Sequence, residues 1–285
     1  MNKLTSSIRV IGVIGHPVKH SLSPVMHNAA IDYYELDLCY LAFDVLPERL
    51  EEAVKGMISL GFVGFNVTIP HKETILNYID KLDDSARLMG AVNTVLIKDG
   101  ITYGYNTDGK GFLDSLQKEG VSYQGKRVLI IGAGGAARAV ATALATAGAS
   151  KIIIANRNLK RVHELAEHIE KAGAESSALG LNDDEKLRFE LEKADIIVNA
   201  TPVGMSPHDN VLPISHIDCI NPKTVVCDLI YRPSETLFLR KAREIGCKVV
   251  GGLGMLLCQG VEAFRLFTGI NPPMEVMQQA LLDEL

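Results

Sequence analysis

The chain has 285 residues, 47 % apolar and 22 % charged, with a formal net charge of −5. That length fits about two domains, and this average composition excludes a disordered tail, a coiled coil and a collagen-like fibre. The mild acidity argues against a nucleic-acid partner, and no apolar run approaches the ~20 residues of a membrane span. The first nine residues lack the apolar run of a secretory signal. The five cysteines (Cys39, Cys219, Cys227, Cys247 and Cys258) are odd in number and show no C-x-x-C spacing. They read as small buried hydrophobes rather than a disulfide framework or a metal cage, so the expected compartment is the cytoplasm and no metal is expected.

Apolar runs and helix-like stretches alternate along the chain. Residues 8–14 (IRVIGVI) read as a buried strand ended by Gly15. Ser23-Pro24 then reads as a helix start, serine as N-cap and proline in the first turn, with the helix running to about Leu36. Residues 39–45 form the next strand, 47–60 a helix stopped by Gly61, and 62–67 a third strand. This β-α-β-α-β order implies a parallel sheet. NTVLIKDGITYGYN follows as a hairpin turning at Asp99-Gly100. TDGKGFLDSLQKEG reads as a helix, RVLII as a strand, and GAGGAAR opens an alanine-rich helix to Ala147. Strands at 151–155, 194–199, 224–229 and 248–250 are interleaved with helices at 159–171 and 234–245. A helix over 254–267 and another after Pro273 close the chain.

The segment GAGGAA (Gly132 to Ala137) fits G-x-G-x-x-A, and it follows a strand, opens a helix and precedes a second strand about twenty residues on. Gly132 permits the tight turn, Gly134 lets the backbone approach a pyrophosphate, and the small Ala137 lets the helix pack on the strand. The helix N-terminus then offers unpaired N–H groups and a positive dipole end to phosphate. NAD binders usually place Asp or Glu at the end of the next strand to hold the ribose 2′-hydroxyl. Here that position reads Asn156-Arg157-Asn158, with Lys160 and Arg161 close by. An arginine can fork onto a 2′-phosphate and stack on adenine, which favours NADP over NAD.

In the first half, polar residues fall at strand ends and helix starts: Ser21 and Ser23 in HSLSP, Asn66, Thr68 and Lys72 in NVTIPHK, Asn93 in AVNT, Thr107 and Asp108 in NTDG. Ligands of parallel α/β sheets bind at the carboxyl ends of strands. Hydroxyls and amides gathered there suit a polyhydroxylated ligand, and one lysine with one aspartate suits proton transfer. Each residue also has a plain structural reading. Ser23 and Asp108 are good helix caps, Asn66 could close a strand, and Lys72 alone could be a surface lysine.

The motifs HSLSP, FNVTIPHK, GAVNT, GYNTDGKGF, GAGGAAR, NATPVGM, DLIYRP and GGLGMLLCQG, in this order over nearly the whole chain, resemble those of the shikimate dehydrogenase family. The resemblance implies a two-domain α/β fold, a mostly parallel N-terminal substrate domain with a Rossmann-type NADP-binding domain. It implies that Ser21, Ser23, Asn66, Thr68, Asn93, Thr107 and Gln259 match substrate positions and that Lys72 and Asp108 match the catalytic pair. It likewise assigns Gly132, Gly134, Gly135, Ala136, Asn156 and Arg157 to the cofactor site, with Thr201, Met205, Leu229 and Gly252 on its nicotinamide side. Tyr231 and Met255 match positions near the substrate, Tyr231 counted with the substrate residues and Met255 with the cofactor residues. The motifs divide the chain into a substrate domain, 1–106 with 251–285, and an inserted NADP domain, 107–250.

The implied reaction is the reversible reduction of 3-dehydroshikimate to shikimate by NADPH, a step of aromatic amino-acid biosynthesis. Lysine, with an unperturbed pKa of about 10.4, is protonated at neutral pH and can act as the acid. An ionised Asp108 would orient Lys72 and favour its charged form, and which of the two is the general base stays open. The family's NADP-type turn often reads Asn-Arg-Thr, where this chain has Asn158 in third place. Quinate/shikimate dehydrogenases that accept NAD are the nearest alternative, and the quinate-preferring ones often lose the second serine of S-x-S, which is present here as Ser23. A non-catalytic nucleotide-binding regulator needs neither Lys72 nor Asp108, and a methylenetetrahydrofolate-type dehydrogenase lacks the S-x-S and NTDG motifs. The expected partner is a small molecule, with the oligomer open between monomer and homodimer.

Overall fold

A strand with apolar side chains on both faces must be covered on both faces. The segments RVIGVIG, GFNV, RVLII and KIIIAN meet that condition, and their residues are buried almost throughout. The computed structural model describes residues 5–285, and the chain divides into two units. The first comprises the described residues up to Gly111 together with Leu257–Leu285, and the second Phe112–Leu256.

In chain order the first unit carries β1 (Arg9–Gly15), α1 (Ser23–Tyr33), β2 (Leu38–Asp44), α2 (Leu50–Ser59), β3 (Gly64–Val67), β4 (Lys81–Leu82), α3 (Asp84–Met89), β5 (Thr94–Lys98) and β6 (Ile101–Tyr105). Among the described residues these strands form one six-stranded sheet of order β2-β1-β3-β5-β6-β4. The β1–β2 and β1–β3 pairs are parallel, as the β-α-β-α-β reading requires, while β5 pairs antiparallel with β3 and, as a hairpin, with β6. Ile14, Phe65, Val67 and Val95 of the sheet pack with Leu50 and Val54 of α2 in one apolar cluster. Three elements carry little sequence signal. β4 has only two residues, the turn Thr74–Tyr78 is a short 3₁₀ helix, and α3 is a six-residue helix capped by Asp83 and closed by Gly90 at a positive φ of 60°.

The expected cap at Ser23 is corrected. Leu22 occupies the N-cap position and Ser23 already lies in the helix. Ser21, two residues earlier, can reach back, and its Oγ accepts the Ser23 N–H at 3.3 Å.

The helix α4 (Asp108–Lys118) leads into the second unit, which holds β7 (Arg127–Ile131), α5 (Gly135–Thr146), β8 (Lys151–Asn156), α6 (Leu159–Lys171), β9 (Glu175–Gly180), α7 (Asp184–Lys193), β10 (Ile196–Asn199), β11 (Val225–Asp228), α8 (Leu237–Ile245) and β12 (Lys248–Val250). α9 (Gly252–Thr268) and α10 (Met274–Asp283) follow, and the unit divisions fall inside α4 and α9. The six strands described in this sheet are all parallel, in the order β12-β11-β10-β7-β8-β9. This is the doubly wound dinucleotide-binding order, with its reversal between β7 and β10. Successive residues cover opposite faces. Val128, Ile130, Ile152 and Ile154 join one core, while Leu129, Ile131, Ile153 and Ala155 join the other. β9 and α7 went unread in the sequence because ESSALG has no apolar run and α7 buries only Leu187 and Leu191.

Candidate active site

The carboxyl ends of β1 and β3 and the start of β5 bring the first unit's polar residues together. Gly15, the last residue of β1, lies against Thr68, and a β-carbon there would sit 2.4 Å from the Thr68 methyl group. Glycine is therefore required at this position for the loop after β3 to close over β1. That loop carries Lys72, whose carbonyl accepts the Val92 N–H at 2.8 Å. Lys72 Nζ donates to Asp108 Oδ2 at 2.6 Å, and the two side chains are 15 % and 6 % exposed. A surface lysine would be far more exposed.

Asp108 is the first residue of α4, where the dipole end favours a carboxylate. The capping role read for it is corrected, since Asp108 already lies in the helix and its own N–H is accepted by Asn106 Oδ1 at 3.1 Å. Asn106 Nδ2 in turn donates to the Ala91 carbonyl. Both Asp108 oxygens are thereby left to side chains. Oδ2 takes Lys72, and Oδ1 accepts from Asn93 Nδ2 at 2.9 Å. Asn93 also donates to Thr107 Oγ1 at 2.9 Å, and its Oδ1 accepts the Thr107 N–H at 2.8 Å. Asn66, buried on β3, donates to the Asn93 carbonyl and to Thr94 Oγ1.

Lys72, Asp108, Asn93, Thr107 and Asn66 thus form one connected cluster, with Ser21 and Ser23 at the start of α1. Gln259 of α9 is buried where Gly111 of α4 approaches it, and a β-carbon on Gly111 would lie 2.7 Å from the Gln259 nitrogen. Sequence reasoning missed Tyr40, Thr94 and Asn106. Thr94 and Asn106 sit inside the GAVNT and GYNTDG motifs, whereas Tyr40 carries no signal beyond strand alternation.

In the second unit Gly132 ends β7 at a φ of +118°, and a β-carbon there would meet the Ala200 carbonyl at 2.9 Å. Both the conformation and the close approach call for glycine. Gly134 differs, because a β-carbon would meet nothing within 4 Å. Gly134 is the N-cap of α5 and offers no side-chain cap, so the first N–H groups of this helix have no partner from their own cap residue.

At the end of β8, Asn156 Oδ1 accepts the Arg157 N–H at 2.8 Å, and Asn158 caps α6 by accepting the Arg161 N–H at 3.3 Å. Asparagine in the third place of this turn therefore does a helix-capping job. Arg157 is exposed and lines a cavity of about 510 Å³ with Leu181, Asn182 and residues 212–215. Thr201 donates to Asn199 Oδ1 at 2.7 Å, and Asn199 Nδ2 donates to Asp228 Oδ1. Desolvation pushes the buried Asp228 carboxyl up to about 6, against hydrogen bonds from Ile230, Thr236 and Asn199 that lower it. Leu229 follows on the same loop and fixes Gly252, since a β-carbon there would lie 2.3 Å from the Leu229 carbonyl. Met205 is exposed, Tyr231 half-buried and Met255 buried, all within this unit.

A doubly wound dinucleotide sheet in one unit and a lysine–aspartate pair in the other define a nicotinamide-dependent dehydrogenase. Family models match three stretches. They are the shikimate dehydrogenase substrate binding domain over residues 13–95, shikimate / quinate 5-dehydrogenase over 115–216, and the shikimate 5′-dehydrogenase C-terminal domain over 252–282. A shikimate dehydrogenase (NADP(+)) of Methanopyrus kandleri is 51 % identical over 280 residues, 97 % of this chain and 96 % of its own. A crystal structure of a shikimate dehydrogenase in complex with NADP+ superposes with a TM-score of 0.91 at 47 % identity, covering 99 % of this chain and 97 % of that one. The shikimate 5-dehydrogenase of Listeria monocytogenes in complex with shikimate and NAD gives 0.90 at 37 % identity, covering 98 % of both chains. The chain belongs to the shikimate dehydrogenase family.

Proposed function

We propose that the chain is an NADP-dependent shikimate dehydrogenase that reversibly reduces 3-dehydroshikimate to shikimate in aromatic amino-acid biosynthesis. The observation that carries this reading is the 2.6 Å Lys72–Asp108 pair, nearly buried and set among neutral amides and hydroxyls. The first unit is the substrate domain, with Ser21, Ser23, Asn66, Thr68, Asn93, Thr107 and Gln259 directed to the ligand's hydroxyl and carboxyl groups, and the family motif counts Tyr231 with the substrate residues. The second unit is the cofactor domain. Its Gly132, Gly134, Gly135 and Ala136 hold the pyrophosphate, Asn156 and Arg157 hold the 2′-phosphate end, and Thr201, Met205, Leu229, Gly252 and Met255 line the nicotinamide end.

Bound NADPH supplies the hydride. Lys72 donates a proton to the oxygen that becomes the alcohol, and it is the member of the pair with the more accessible side chain. Asp108 stands behind it, with one oxygen on Lys72 and the other on Asn93, and holds the ammonium in line. In the oxidation direction Lys72 accepts that proton back. The compartment read from five cysteines with no C-x-x-C spacing is the cytoplasm. Light scattering of the purified chain decides between monomer and homodimer.

Initial rates with four pairs, shikimate or quinate with NADP or NAD, test the reading. Shikimate with NADP is expected to be the fastest pair. Lys72→Ala is expected to lose about 10²–10⁴-fold in kcat, the usual range for a general acid–base group, with a smaller loss of shikimate affinity. Tight NADP binding without turnover of any pair would instead favour a regulator that kept the fold. Nearly full kcat in Lys72→Ala would remove Lys72 from the chemistry.

A further inference from the structure

We propose that Tyr40 and Thr94, neither of which reaches the substrate, are positioning residues that orient the Asn66 and Asn93 amides and so set affinity for the hydroxylated substrate. This rests on the activity proposed above and deepens it. Both residues are 0 % exposed, against 7 % for Asn66. Their side chains have no route to a ligand and act only through what they touch.

The argument is one of proton order. A backbone carbonyl can only accept a hydrogen bond and a backbone N–H can only donate one. Asn66 Nδ2 lies 3.1 Å from the Asn93 carbonyl, so the nitrogen side of that amide must face it. Asn66 Oδ1 therefore faces Tyr40, and the phenol must donate, at 2.7 Å. Asn66 Nδ2 also donates to Thr94 Oγ1 at 2.9 Å, which leaves the threonine's single proton for Asn93 Oδ1 at 3.0 Å. The far end is pinned in the same manner. The Thr107 N–H must meet Asn93 Oδ1, so Asn93 Nδ2 points to the Asp108 carboxylate.

Every hydroxyl and amide between Tyr40 and Lys72 thus has one allowed direction. With both Asn66 amide protons committed to the protein, its remaining capacity is the second lone pair of Oδ1. Asn66 therefore meets the substrate as an acceptor, and the substrate hydroxyl donates. Burial raises the Tyr40 phenol, while a hydrogen bond with Ser23 lowers it, so the phenol keeps its proton and remains a donor. The His27 ring stacks on Tyr40 at 4.3 Å with 1° between the planes and holds the ring in place.

The test uses the full-length chain with Tyr40→Phe, Thr94→Val and Thr94→Ser. Tyr40→Phe removes one oxygen, and Thr94→Val is nearly isosteric. Both are expected to raise the shikimate KM, and the shikimate Kd measured by calorimetry without cofactor, by about tenfold, the scale of one hydrogen bond. Over the same variants kcat should fall by less than about threefold and the NADP KM should stay level, because the Lys72–Asp108 end is pinned independently. Thr94→Ser keeps the hydroxyl and should recover most of the lost affinity. Folded variants with wild-type shikimate KM and Kd would overturn the proposal, as would a matching rise in the NADP KM. If Tyr40→Phe does not fold, the Thr94 pair decides alone. A wild-type chain that neither binds nor oxidises shikimate overturns the activity and this inference together. Wild-type turnover with unmoved variants overturns the positioning role alone.

Discussion

At the scale of single residues, most chemistry-bearing side chains lie in motifs that can be quoted from the sequence, but their roles changed on folding. Ser23 has the right chemistry for a cap, yet Leu22 holds that position. Asp108 likewise lies inside its helix rather than capping it, and its carboxylate meets Lys72 and Asn93. His27 shows a different consequence of burial. Its ring is 1 % exposed, neither ring nitrogen has a hydrogen-bond partner among the described residues, and Tyr40, Phe264 and Phe267 pack around it. Desolvation lowers its pKa from 6.5 to about 3. The folded state therefore disfavours the proton that the unfolded state takes up below pH 6.5. The stability this neutral ring contributes is full above pH 6.5 and is lost as pH falls toward 3, by an amount on the order of 5 kcal/mol at about 1.4 kcal/mol per unit. His27→Phe keeps a flat ring and removes the titration. Urea midpoints at pH 7 and pH 4 should differ less in this variant than in the wild type. An unchanged difference would assign acid sensitivity to other groups.

At the scale of elements, the turn from β8 into α6 shows how a loop is held while a side chain stays available. Asn156 folds back on the Arg157 N–H and Asn158 caps the helix. The two amides fix the backbone, and Arg157 is left exposed beside a cavity. A guanidinium fixed at its base and exposed at its tip suits a dianionic 2′-phosphate, and a charged hydrogen bond of this kind contributes about 1.5–3 kcal/mol. Arg157→Ala is therefore expected to raise the NADP KM by roughly ten- to a hundredfold and to leave the NAD KM nearly unmoved. Equal losses for both cofactors would contradict a 2′-phosphate contact. The elements that escaped the sequence are those with the least apolar surface to bury. β9 is an edge strand of mixed polarity, β4 has two residues, and α3 and α7 bury two side chains each. Hydrophobic periodicity reports burial, so a half-exposed element leaves a faint trace.

At the scale of the whole molecule, each unit has its own sheet and its own apolar cores. Ligands that bind only the folded state stabilise the part they touch. Amide hydrogen exchange should therefore separate the two ligands. NADP is expected to protect the backbone at 132–137 and 156–158, and shikimate alone the backbone at 66–72, 93–94 and 107–108. Shikimate protection confined to 132–158 would contradict the assignment of substrate to the first unit. The sequence motifs place the inserted unit at 107–250, whereas the contacts divide the chain after Gly111 and after Leu256. The difference lies inside α4 and α9, since a motif marks where chemistry sits and a helix carries the chain past that point.

The sequence by itself determined the two α/β units, the glycine-rich turn from strand to helix at Gly132 to Ala137 and the identity of the residues at the strand ends. Burial periodicity and backbone freedom are local properties, and they are written in neighbouring residues. Only the tertiary structure decided who meets whom. Tyr40 reaches Asn66 from 26 positions away, and Lys72 reaches Asp108 from 36. The strand register that sets Asn66 opposite Thr94 aligns one amide with the next. A hydrogen bond acts over about 3 Å and only along its axis, so its partners follow from register and packing rather than from order along the chain.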